Sequence, residues 1–144
     1  MLTNPFVGTW HLISNESKSA EGDVSHPFGK DATGHLIYTE DGHVACTIMG
    51  PDRTRFVAKD LRAGSLEDKQ AAFDSYFAYC GTYDVVGDQV VHHLEQSLFP
   101  NWTGGNQERS FQFSGNQLIL RTPPLAVGGV ERTLRVVWQR VTPN

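Results

Sequence analysis

The sequence predicts an all-β protein: an eight-stranded antiparallel barrel with one α-helix inserted at about residues 65–80. Three observations carry this prediction. The 14 glycines and 7 prolines fall at nearly regular intervals along the chain. The segments between them are short and rich in β-branched and aromatic residues, as in sandwiches and barrels. The apolar period changes from two to helical only once, after the third strand.

The elements follow in order. The first strand is 7–15. The polar stretch 16–33 contains His26-Pro27-Phe28-Gly29, which marks a connection or an edge. Strands at 34–39 and 43–49 flank the Glu40-Asp41-Gly42 turn. Ser65 is placed to cap a helix, with Asp68 three residues on. Leu66, Phe73, Phe77 and Cys80 recur on one helical face, and Gly81 fits just past its end. That face is expected to cover one end of the barrel. A short helical turn is expected within 53–61. Strands at 82–86 and 89–97 are joined by Gly87-Asp88, and strands at 107–114 and 117–122 by Gly115-Asn116. The strand at 131–141 closes a single domain spanning 1–144.

Composition excludes several classes. Twelve basic against sixteen acidic residues give a net charge of −4, without the basic footprint of a nucleic-acid binder. No apolar run is long enough for a spanning helix, so no membrane partner is expected. The opening Met1-Leu2-Thr3-Asn4-Pro5-Phe6 lacks the regions of a signal peptide and reads as a cytosolic N-terminus, so a cytoplasmic location is expected. Cys46 and Cys80 are then free thiols, and the sequons at Asn15 and Asn101 chance matches. No P-loop, G-x-G-x-x-G, G-x-S-x-G or metal-ligand spacing is present. Neither a cofactor nor a metal is expected.

Strand alternation sorts the side chains. Arg109, Phe111 and Phe113 share a face, as do Leu134, Val136 and Trp138 with Arg132 and Arg140. The Gly87-Asp88 turn pairs Tyr83 with His92, which puts Tyr83, Val85, Val90, His92 and Leu94 on the more apolar, inward face. A bulge would instead turn His93 and Glu95 inward. An inward Arg109 needs an internal acid, a bound anion or water, because an unpaired buried charge is costly.

Gly8-Thr9-Trp10 resembles the G-x-W start of lipocalins and other calycins. The wider pattern includes His26-Pro27-Phe28-Gly29, Tyr79-Cys80-Gly81-Thr82-Tyr83, His92-His93-Leu94-Glu95 and Pro100-Asn101-Trp102. Together with Gly34 to Thr39 and Thr122-Pro123-Pro124, it resembles the lipocalin-like domain family over nearly the whole chain. The resemblance implies a calycin-type barrel with an internal cavity. It also implies an Arg, here Arg140 or Arg132, packed on Trp10.

The sequence therefore points to a barrel that binds a small, partly apolar molecule with an acidic or carbonyl group. Arg109, Tyr38, Leu94, Phe111, Phe113 and Trp102 are the expected ligand-binding residues. The alternative is a cofactor-free isomerase, cyclase or dehydratase in the same cavity, with His92 and Tyr83 as its acid–base pair. A third reading is a filled barrel acting through its surface. Either functional reading needs only a small-molecule partner, and a homodimer is compatible with each.

Overall fold

The computed structural model describes residues 4–142. Among the described residues ten strands, one α-helix and one 3₁₀ turn follow one another. They are β1 (Gly8–Ser19), β2 (Val24–Ser25), β3 (Thr33–Tyr38), β4 (His43–Met49), α1 (Leu66–Asp74), β5 (Tyr76–Val86), β6 (Gln89–Ser97), the 3₁₀ turn (Pro100–Trp102), β7 (Asn106–Ser114), β8 (Gln117–Arg121), β9 (Leu125–Val127) and β10 (Val130–Arg140). Eight of the strands close an antiparallel barrel in the order β1-β3-β4-β5-β6-β7-β8-β10, with β10 returning to β1. The two short strands sit beside it, β2 on β1 and β9 on β10.

Closure rests on the longest ladder, which runs from Trp10↔Arg140 to Ser19↔Arg132. β1 therefore continues past Asn15 into residues expected to be a connection. A register shift between Leu12 and Ser14 leaves Ile13 turned out and 49% exposed. Gly87 and Gly115 take φ of 63° and 59°, the left-handed backbone that two-residue hairpins require.

Trp10 is buried at the start of the barrel, and its indole Nε1 donates to the Phe6 carbonyl at 2.9 Å. The Arg140 guanidinium carbon stands 4.2 Å from the centroid of the Trp10 ring, and Nη1 donates to the Val7 carbonyl at 2.9 Å. A Cβ at Gly8 would come within 2.9 Å of that same Nη1. The G-x-W spacing thus leaves room for the arginine. Arg132 bonds Ser17 and the Asp23 carbonyl instead.

The helix is shorter than its sequence pattern predicts. Ser65 caps it, accepting from the Asp68 backbone N–H at 3.1 Å, but it ends at Asp74. Residues 76–80 belong to β5, where Phe77 pairs with Ile48 and Tyr79 with Cys46. Sheet pairing overrides the local helical spacing. Gly81 is not a helix terminator. A Cβ there would lie 1.8 Å from the His93 carbonyl oxygen, at the register shift between β5 and β6. The expected apolar helical face does not form, for Leu66 is 86% exposed and Phe73 48%. Polar bonds hold the helix instead: Arg53 donates to Ser75 Oγ at 2.9 Å and to the Ala72 carbonyl at 3.1 Å. The segment around Arg53–Leu61 forms bends rather than the expected helical turn.

Candidate functional site

The barrel interior is divided. At one end Phe6 fills the space between Tyr38, Phe111 and Phe113, with ring centroids 4.9–5.2 Å apart. Phe111 and Phe113 face inward as strand alternation requires, but they are absent from the cavity wall and serve as a plug. Tyr83 belongs to the same end. Its hydroxyl accepts from Asn4 Nδ2 at 2.9 Å and donates to the Thr39 carbonyl at 3.0 Å, which uses its proton.

The other end holds a cavity of about 250 Å³. That is slightly below the usual range for small-molecule pockets of roughly 300–1,000 Å³. Its floor and sides come from strand residues such as Leu36, Ile48, Leu120, Val136 and Trp138. The rim is formed by Pro27, Phe28, Phe99, Trp102 and the short β9. Asn15 fixes part of this rim. Its buried amide donates to the Gly29 carbonyl at 3.0 Å and accepts from the Phe28 N–H at 3.1 Å, which explains the His26-Pro27-Phe28-Gly29 turn. Trp102 packs edge-on to Phe77 at 5.3 Å.

Arg109 reaches this wall from β7 and is 8% exposed. Its guanidinium donates to the Glu108 carbonyl at 2.9 Å, and its carbon lies 5.9 Å from the Trp102 ring centroid. Gln107 Oε1 is at 3.5 Å. Among the described residues no carboxylate pairs with it; the two ion pairs there are His43–Asp41 and His93–Asp84.

A chain of three side chains runs inward from Tyr79 in the wall to His92 and Tyr38 behind it. His92 is fully buried, with the Tyr38 hydroxyl 2.7 Å from Nε2 and the Tyr79 hydroxyl 2.7 Å from Nδ1. Burial, then the positive charges of Arg109 and His93, push the imidazole down to about 3, so it is neutral at ordinary pH. Burial likewise holds both phenols above their usual range, and both remain protonated. A neutral imidazole has one donor and one acceptor. Tyr38 is buried, and His92 is its hydroxyl's one hydrogen-bond partner among the described residues. Were Nε2 to donate to Tyr38, the phenol proton would be stranded at a cost of about 1–3 kcal/mol. Tyr38 therefore donates to Nε2, and Nδ1–H donates to the Tyr79 oxygen.

The expected site is thus split. Arg109 and Trp102 meet at the cavity, while Tyr38 and His92 stand behind it. Leu94 is buried outside the wall, and Tyr83 pairs with His92 across the strands but directs its hydroxyl elsewhere. The register shift does not turn His93 inward. Its ring bonds Asn106 and Asp84 on the outer face, and Glu95 is exposed. The residue missed from sequence is Tyr79, which joins the His92 chain to the cavity.

A closed barrel with a G-x-W first strand, an arginine stacked on that tryptophan and a cavity at one end defines the lipocalin-type class. Residues 7–141 match the lipocalin-like domain, and the chain belongs to that family. It is 28% identical over 107 residues to the 4'-hydroxy-3'-methoxypropiophenone carrier protein ppsC of Aspergillus oryzae, covering 68% of this chain and 96% of that one. Two solved structures are similar at 15% identity. One is an uncharacterized protein from Bacteroides eggerthii, with a TM-score of 0.47 over 94% of this chain and 99% of the other. The second is Rv2717c from M. tuberculosis, with a TM-score of 0.36 over 96% and 94%.

Proposed function

We propose that this chain is a carrier for a small aromatic molecule bearing a carbonyl or acidic oxygen, held in the barrel cavity. Arg109 carries the reading: a nearly buried cation on an otherwise apolar wall, with no carboxylate beside it among the described residues. Such a group is most favourable when an oxygen-rich ligand completes its hydrogen bonds. The cavity volume suits one substituted ring with a short side chain. The fungal relative's name, a carrier of a phenolic aryl ketone, agrees with that chemistry. Binding without turnover is favoured because both His92 nitrogens are engaged by phenols, which leaves no free base at the wall.

Titration with 4'-hydroxy-3'-methoxypropiophenone, followed by tryptophan fluorescence, tests the reading. Trp102 and Trp138 both line the cavity and should report occupancy. Arg109→Met should abolish binding while leaving the thermal midpoint unchanged or raised. Absence of binding by the unaltered protein to this ketone and to aryl carboxylic acids of similar size would overturn the proposal.

A further inference from the structure

We infer that Tyr79 is a ligand-binding residue of this cavity, donating its phenol proton to a carbonyl oxygen of the bound molecule, with His92 and Tyr38 as the positioning residues that aim it. The inference rests on the carrier reading and adds the group that distinguishes an oxygen acceptor from a plain hydrocarbon.

The argument is one of proton accounting. Tyr38 donates to His92 Nε2 because it has no other acceptor among the described residues, and His92 Nδ1–H then donates to Tyr79. The Tyr79 oxygen is an acceptor in that bond, so its own proton is unspent. Two destinations remain. One is the thiol of Cys46, the cross-strand partner of Tyr79 and within side-chain hydrogen-bonding reach of it, and sulfur is a weak acceptor. The other is the cavity that Tyr79 lines. A carbonyl oxygen placed there would be much the better acceptor. The rest of the wall agrees, since its polar groups are mostly donors. Arg109 is one. An apolar wall whose few polar groups donate selects a ligand that carries a matching acceptor.

The test compares 4'-hydroxy-3'-methoxypropiophenone with 4-propyl-2-methoxyphenol, which has CH₂ in place of the carbonyl. In the unaltered protein the ketone should bind about tenfold more tightly, the worth of one net hydrogen bond. Tyr79→Phe should shrink that difference severalfold, leaving the part that Arg109 supplies, and leave the affinity for the propylphenol within about twofold. The infrared C=O stretch of the bound ketone should move to higher frequency in the variant. If Tyr79→Phe does not fold, Tyr38→Phe supplies the same readout. It leaves the Tyr79 hydroxyl in place but removes the donor that fixes the His92 tautomer, so the Tyr79 proton is shared between Nδ1 and the ketone and the C=O stretch should rise part of the way. Equal affinities for ketone and propylphenol in the unaltered protein, or an unmoved stretch in the variants, would overturn the role of Tyr79 while the carrier reading stands. Failure of both compounds to bind would overturn the role of Tyr79, and the carrier reading falls with it if aryl carboxylic acids of similar size also fail to bind.

Discussion

The Tyr38 hydroxyl lies 2.7 Å from His92 Nε2, and both residues are cut off from solvent. Together with Tyr79 they place a neutral imidazole where no water can support its charge. This has a consequence for stability. In the unfolded chain His92 should titrate near about 6.5, whereas burial in the fold holds it down to about 3. As pH falls, the unfolded chain takes up this proton first. The contribution is full above about 6.5 and is lost progressively as pH falls towards 3. Between pH 7.5 and 4.5 the loss should be about 3 kcal/mol. Denaturant melts of the unaltered protein and of His92→Gln across that range check it. The unaltered protein should show the additional acid-side slope. Parallel curves would mean that His92 is protonated as readily in the fold as outside it.

Trp10 and Arg140 make a second, separable unit. The guanidinium combines a stacking contact with a bond to the Val7 carbonyl where β1 meets β10. Arg140→Met should cost about 2 kcal/mol in denaturant unfolding, from the lost cation–π contact and charge-assisted bonds. Ligand affinity should stay within about twofold, because neither residue lines the cavity. Arg132→Met should cost less, since that side chain makes two longer polar contacts and no ring contact with Trp10. A larger loss for Arg132→Met than for Arg140→Met would contradict this assignment.

The barrel was legible in the sequence because period-two alternation and hairpin glycines are local signals. Tyr83↔His92 pairing follows directly from a two-residue turn at Gly87-Asp88. The inward face of Arg109 follows from its register with Phe111 and Phe113. The site's depth along the barrel was not legible. Alternation says which way a side chain points, not which end of the barrel it occupies. Phe111 and Phe113 thus became a plug around Phe6, and Arg109 part of the cavity wall. Tyr79 was hidden for another reason. Phe73, Phe77 and Cys80 match a helical face, yet Phe77, Tyr79, Gly81 and Tyr83 also alternate at period two. The second pattern wins because β4 offers a strand to pair with. The aromatic, β-prone run Tyr76-Phe77-Ala78-Tyr79 was the available signal.

The last prediction separates these two patterns by energy. A helical lid would bury Leu66, Phe73 and Phe77 together, so truncating any of them would be costly. In the strand arrangement they have different fates. Leu66 stands 86% exposed on α1, and Leu66→Ala should change stability by less than about 0.5 kcal/mol. Phe77 is half-buried on β5, packed against Trp102 at 5.3 Å and Tyr79 at 5.9 Å. Phe77→Ala should cost about 2 kcal/mol, below the roughly 3–5 kcal/mol of a fully buried phenylalanine, because its outer side already meets solvent. It should also enlarge the cavity, since Phe77 forms part of the wall. Aryl ketones with longer acyl chains should then gain affinity relative to the propiophenone, while the unaltered protein should reject them. Denaturant unfolding of both variants and a titration series of increasing acyl length check the prediction. Equal losses for Leu66→Ala and Phe77→Ala would restore the helical lid.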